Sequence, residues 1–160
     1  MTEEVKKSSF VLLNLRETGC LYVEPFQLFS VFLQDRVKFL QLIKAGLTVN
    51  YSWNIATNYF AVLLDFQFKH NENEIDTDIL HYSTRTEFIV TDIKDIFLDK
   101  CNGKFEMDEQ YEITFVSIAI SSSRGMIAAR TAGSFIGAFI YPLVNPSDHI
   151  VSKRINNSVE

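Results

Sequence analysis

Residues able to do chemistry are present in this chain, but their spacing does not bring them together. His70, His81 and His149 lack the short intervals of a zinc site, so each reads as a strand or surface residue and no metal is expected. Cys20 and Cys101 form no CxxC pair. Asp92, Asp95 and Asp99 recur at helix-like intervals, the pattern of a solvated face rather than of a buried acid–base pair. Ser121-Ser122-Ser123 lacks the glycine frame of a nucleophile elbow and suits close helix packing instead. Arg124 and Arg130 are six apart, on different faces of a helix, and make no phosphate clamp. There is no P-loop or dinucleotide fingerprint, so no cofactor and no enzyme activity are expected. What remains is binding chemistry. Tyr51 and Trp53, with Phe135, Phe139 and Tyr141 beside a Gly/Pro-framed segment, are the candidates for an apolar contact surface. Core packing is the competing reading for each of them.

The elements that must position these residues follow from hydrophobic period. Phe10 to Leu15 predicts a first strand, ending near Glu17-Thr18-Gly19. Phe26, Phe29, Leu33, Val37 and Leu40 fall at three- and four-residue steps, which predicts one helix over 24–43, entered at Pro25. From Gly46 the period becomes two. Leu47, Val49, Tyr51, Trp53 and Ile55 alternate with polar residues, as in a strand with one wet face. Phe60, Val62, Leu64, Phe66 and Phe68 form the next alternating set and are expected to face one core. After the polar turn His70–Glu74, Leu80, Tyr82, Thr84, Thr86, Phe88 and Val90 form a third. Strands joined by turns this short must be antiparallel, because a parallel partner needs a crossover of a dozen or more residues.

Beyond Val90 the spacing predicts a helical turn over 92–98, a loop over 100–104 and a long helix from an Asp108 cap through Ala132. Gly133 is the expected residue past its C-terminus. Ala119, Ala128, Ala129 and Ala132 would let a second helix approach closely, from another copy or from within the chain. Gly133 and Gly137 spell GxxxG, read here as tight turns or contacts.

A chain of 160 residues reads as one domain over 1–160, with 1–8 and 152–160 as flexible ends. It is long enough to bury roughly 70% of its unfolded surface without a staple. The 14 phenylalanines exceed an ordinary small core, and such an excess often serves an interface or groove. A formal net charge of −5 with scattered Lys and Arg argues against nucleic acid. The run Ile113–Ile120 is interrupted by Ser121–Arg124 and then Arg130, which argues against membrane insertion. The polar N-terminus lacks a secretory apolar run, so reduced thiols and a cytoplasmic location are expected.

Three strands, a loop and a long helix, followed by Gly133-Ser134-Phe135 and Pro142-Leu143-Val144-Asn145, resemble the SecB family of export chaperones. Arg124 matches the family's helix arginine, Gly133 and Phe135 its junction, and Pro142 with Asn145 its stop. The match spans 44–150. Ser121–Ser123 replace the family's aromatic-Pro-aromatic entry, Leu143 is inserted, and 20–43 has no counterpart. The resemblance implies an α+β fold: an antiparallel, meander-type four-stranded sheet with helices on one face, assembled as a dimer or tetramer. It also implies nucleotide-independent binding of unfolded or partly folded polypeptides, with client contact on Tyr51, Trp53, Phe135, Phe139 and Tyr141. An oligomeric scaffold or adaptor without general chaperone activity is the alternative, and a small-ligand enzyme the third reading.

Overall fold

The computed structural model describes residues 8–23, 26–100 and 104–138. Cys101, Phe139, Tyr141, the Pro142–Pro146 stop, His149 and the 152–160 end lie outside them. Strand β1 (Phe10–Tyr22) leads into helices α1 (Phe26–Gln34) and α2 (Arg36–Gln41). Strands β2 (Ile43–Asn54), β3 (Tyr59–Glu72) and β4 (Ile75–Val90) follow, then a small hairpin of β5 (Phe97–Lys100) and β6 (Lys104–Met107). Helix α3 (Glu109–Thr131) comes last, followed by a short 3-10 turn over Phe135–Ala138.

Strands β2, β3 and β4 form an antiparallel meander, and β1 adds antiparallel to the far side of β4, giving the order β1-β4-β3-β2. The alternation read from sequence has the correct phase. Phe60, Val62, Leu64, Phe66, Phe68 and His70 of β3 are buried, as are Leu80, Tyr82, Thr84, Thr86, Phe88 and Val90 of β4. The hairpin between them turns on Asn73 and Glu74, both at positive φ (51° and 66°), the backbone of a two-residue turn that matches strand twist.

Helix α3 covers this face. Glu112, Phe115, Val116, Ala119, Ile120, Ser123, Ile127 and Thr131 are its buried residues, mostly at three- and four-residue spacing. The Asp108 carboxylate accepts from Gln110 N at 2.9 Å and caps the first turn, where Glu109 and Glu112 also complement the dipole. Gly133, at φ +84°, stands just past the C-terminus as expected. Ser123 packs close to the sheet, its hydroxyl 2.7 Å from that of Thr84. At Gly137 a Cβ would lie 2.5 Å from the Thr131 carbonyl oxygen, so this glycine serves a tight turn.

The single helix predicted over 24–43 is two helices. Asp35 sits in extended backbone (φ −149°, ψ 91°) and its carboxylate accepts from Lys38 N at 2.9 Å, ending α1 and capping α2. The strand then starts at Ile43 rather than Gly46, because Leu42 O already accepts from Asn71 N at 2.9 Å. Strand β1 runs to Tyr22, well past Leu15. Irregularities at Leu12/Asn14 and Glu17/Gly19 insert an extra residue each, which breaks the alternation while the ladder continues. Of the segment read as a loop over 100–104, Lys100 and Lys104 are paired strand residues of β5 and β6, with Phe97 opposite Met107, and 101–103 lie outside the described residues.

Candidate functional site

Of the five predicted contact residues, the structure brings two together. Tyr51 and Trp53 lie on the covered face of β2, near its C-terminal end. Tyr51 is half-buried: its ring stacks on Phe60 (centroids 5.7 Å apart, planes at 28°) and its hydroxyl donates to Glu112 Oε1 at 2.7 Å. Tyr51 thus ties β2 to the first turns of α3. Trp53 is 45% exposed and leans on Phe97 of β5 at 5.6 Å. It is the exposed aromatic surface of a corner framed by β2 and the β5–β6 hairpin. Phe135 opens the turn beyond the other end of α3. From Glu112 to Thr131 that helix advances about 28 Å, so Phe135 does not share the Trp53 corner.

The four alanines also separate. Ala119 is fully buried against the chain's own sheet and is unavailable to a second copy, which corrects its assignment to an oligomer interface. Ala128, Ala129 and Ala132 are exposed on the C-terminal part of the helix.

Among the described residues, exposed large apolar side chains also lie where sequence reasoning placed no site. On β1, Val11, Leu12, Leu13 and Leu21 are 68, 46, 57 and 60% exposed. On the helix pair, Phe29, Leu33 and Val37 are exposed as well. Among the described residues no strand pairs with the outer side of β1. The bonds Thr91 N to Ser9 O (2.8 Å) and Val23 N to Ile79 O (2.9 Å) fix which of its residues face β4. By the antiparallel alternation, Phe10, Leu12, Leu15, Glu17 and Cys20 turn their backbone groups outward. A strand with a free edge presents unpaired backbone groups to which another strand could pair.

The open face of the sheet is different in kind. Glu87 accepts hydrogen bonds from Tyr59 (2.8 Å), Arg85 (2.9 Å) and Asn14 (3.1 Å), and Arg16 lies 3.5 Å away. The Tyr59 hydroxyl, then Asn14, Arg85 and the Arg16 charge, hold the Glu87 carboxyl below its usual range against the opposing effect of burial. A carboxylate with a lowered folded value stabilises fully above its unfolded value, near 4.5, and loses that contribution as pH falls below it. Glu87→Gln should therefore flatten the decline of the urea midpoint between about pH 5 and pH 3. An unchanged slope would remove Glu87 from the account.

At the far end of α3, a cavity of about 300 Å³ is lined by Cys20, Tyr22, Leu80, Arg130, Thr131 and Ser134. Arg130 lies 3.7 Å from Glu17 at its rim. Burial, and then Glu17, push the nearby Tyr82 hydroxyl well above the usual phenol range. Among the described residues no three His, Cys, Asp or Glu side chains gather to hold a metal, and no helix is long and apolar enough to cross a membrane.

No protein-family profile matches the chain, nor does any curated protein. Among solved structures it is similar to a SecB-like chaperone of Mycobacterium tuberculosis, determined in complex with a ChAD peptide from an antitoxin. The TM-score is 0.43 at 12% identity, over 84% of this chain and 90% of that one.

Proposed function

We propose that the chain is an oligomeric, nucleotide-independent chaperone that holds non-native polypeptide on apolar surface, as its sequence resemblance to the SecB family suggests. The observation that carries this reading is the concentration of exposed apolar side chains on an unpaired edge strand and the adjoining helix pair. An edge strand that exposes apolar side chains offers surface for association. Trp53 supplies an aromatic contact that tolerates varied sequences. Phe135, Phe139 and Tyr141 are proposed as further client contacts. Binding the unfolded form and not the native one delays folding by mass action, with no chemical step. Work in a reducing, cytoplasmic compartment suits Cys20, a free thiol.

Trp53→Ser tests the client surface. With 45% of the residue exposed, the variant should keep its fold and lose several-fold in affinity for a permanently unfolded polypeptide. Equal affinity in a folded variant would move the contact away from this corner. Assembly is proposed through the β1 edge, with the exposed Ala128, Ala129 and Ala132 available to a second contact. Light scattering at micromolar protein should give a multiple of 18.4 kDa. The double variant Leu13→Lys, Leu21→Lys should give a smaller species, since like charges along an edge oppose pairing. A monomer in the unmodified protein would contradict this assembly. The β1 edge would serve a scaffold or adaptor equally well, and suppression of client aggregation separates the two readings.

A further inference from the structure

His70 is an unusual residue to find at the end of a core stripe. It is 1% exposed, its ring lies parallel to that of Phe39 (centroids 4.9 Å, planes at 18°), and its Nε2 is buried with no hydrogen-bond partner among the described residues. A buried imidazole nitrogen without a partner is tolerated only while the ring is neutral. Phe39 belongs to α2 and is itself fully buried, packed edge-on against Phe32 of α1 at 5.5 Å. The His70–Phe39 stack is therefore one contact that holds the α1–α2 pair on the sheet. Helices of nine and six residues are not stable alone and depend on such packing.

We propose that His70 is an acid-sensitive latch: its protonation releases the α1–α2 pair from the sheet and uncovers the apolar end of the covered face. Among the described residues, the charged groups on the elements around His70 stand at the rim. Helix α1 carries none. Helix α2 presents Arg36 and Lys38, with Asp35 at its cap, all exposed. On β2 the residue opposite is Ile43, followed by exposed Lys44. On β4 it is Thr77, flanked by exposed Asp76 and Asp78. On β3 itself the neighbours are Lys69 and Glu72. Glu72 acts on the ring only in part against its burial, and a protonated ring that moves out toward the exposed carboxylates leaves Phe39, so the helix pair loses that contact. Burial lowers the His70 value below 6.5, and Glu72 opposes this only in part. The closed form is thus favoured above pH 6.5 and weakens as pH falls below it, because the open form takes the proton first.

The device is independent of what binds the uncovered surface. Amide hydrogen exchange of the full chain, corrected for intrinsic rates, should show residues 26–41 losing protection between about pH 7.5 and 5.5. Below pH 6.5 the loss should approach about tenfold per pH unit, the limit for one proton, while β3, β4 and α3 stay protected. In His70→Phe the pair should stay protected at both pH values, and His81→Gln and His149→Gln should leave the transition in place. If His70→Phe fails to fold, an NMR titration of the ring in the unmodified protein takes its place, with a midpoint below 6.5 expected. Equal protection at both pH values, a transition that survives in His70→Phe or vanishes in His81→Gln, loss of the whole sheet at once, or a ring midpoint at or above 6.5 would each overturn the latch.

Discussion

Val62→Asp should leave the chain without a cooperative unfolding transition. Val62 is fully buried at the middle of β3, opposite Tyr51 on one side and Thr86 on the other, and its side chain faces α3. An aspartate there must either ionise with no cation in reach or take up a proton, and each course costs several kcal/mol. Typical domain stabilities of about 5–15 kcal/mol leave little margin for that loss. Leu63→Asp is the matched control. Its side chain is on the open face, opposite Arg85, and is only half-buried, so that variant should fold. Circular dichroism with thermal unfolding reads both. A folded Val62→Asp beside an unfolded Leu63→Asp would reverse the strand phase on which the fold description depends.

Phe115→Ala should cost about 3–5 kcal/mol, at the upper end of large-to-small core changes. Its ring stands 4.9 Å from Phe10, 4.9 Å from Phe60 and 4.7 Å from Phe88, joining β1, β3 and β4 to α3 at one point. Three rings held by three different strands cannot close over the space it leaves, so the cavity persists. For a chain of this size the loss corresponds to a fall in Tm of about 6–20 °C. Leu33→Ala, at a site 68% exposed, should change stability by less than about 0.5 kcal/mol. A small effect at Phe115 would mean that α3 is not anchored through this cluster.

The parts of the fold legible in the sequence are those where one physical constraint acts alone. In β3 from Phe60 to His70 and in β4 from Leu80 to Val90 every second residue is buried, so the phase is readable there. Asp108 and Gly133 mark the ends of α3 because each has the side chain, or lack of one, that its backbone position requires. The misreadings share a cause. The apolar step from Phe29 through Leu33 to Val37 continues across Asp35, and hydrophobic period alone does not show that a side chain has stopped one helix and started another. In β1 each extra residue shifts the alternation, so the strand appears to end at Leu15. The same shift hides the exposure of Val11, Leu12 and Leu13, apolar residues that a sequence reading assigns to a core. Trp53 and Tyr51 look equivalent in sequence, two apart on one strand. The Glu112 hydrogen bond and the Phe60 stack tie Tyr51 to the core, while Trp53 stays exposed. Phe135 was linked to them through a short motif, which carries no information about the length of helix between them.

The claim that the chain holds non-native polypeptide is tested most directly by the refolding of an unrelated client diluted from denaturant. With the protein in modest excess and no nucleotide present, refolding should slow in proportion to the protein added. The native client should form no complex, and the captured client should refold when a competing unfolded chain displaces it. A refolding rate unchanged at excess protein, for several clients, would contradict the account and leave an oligomeric scaffold in its place.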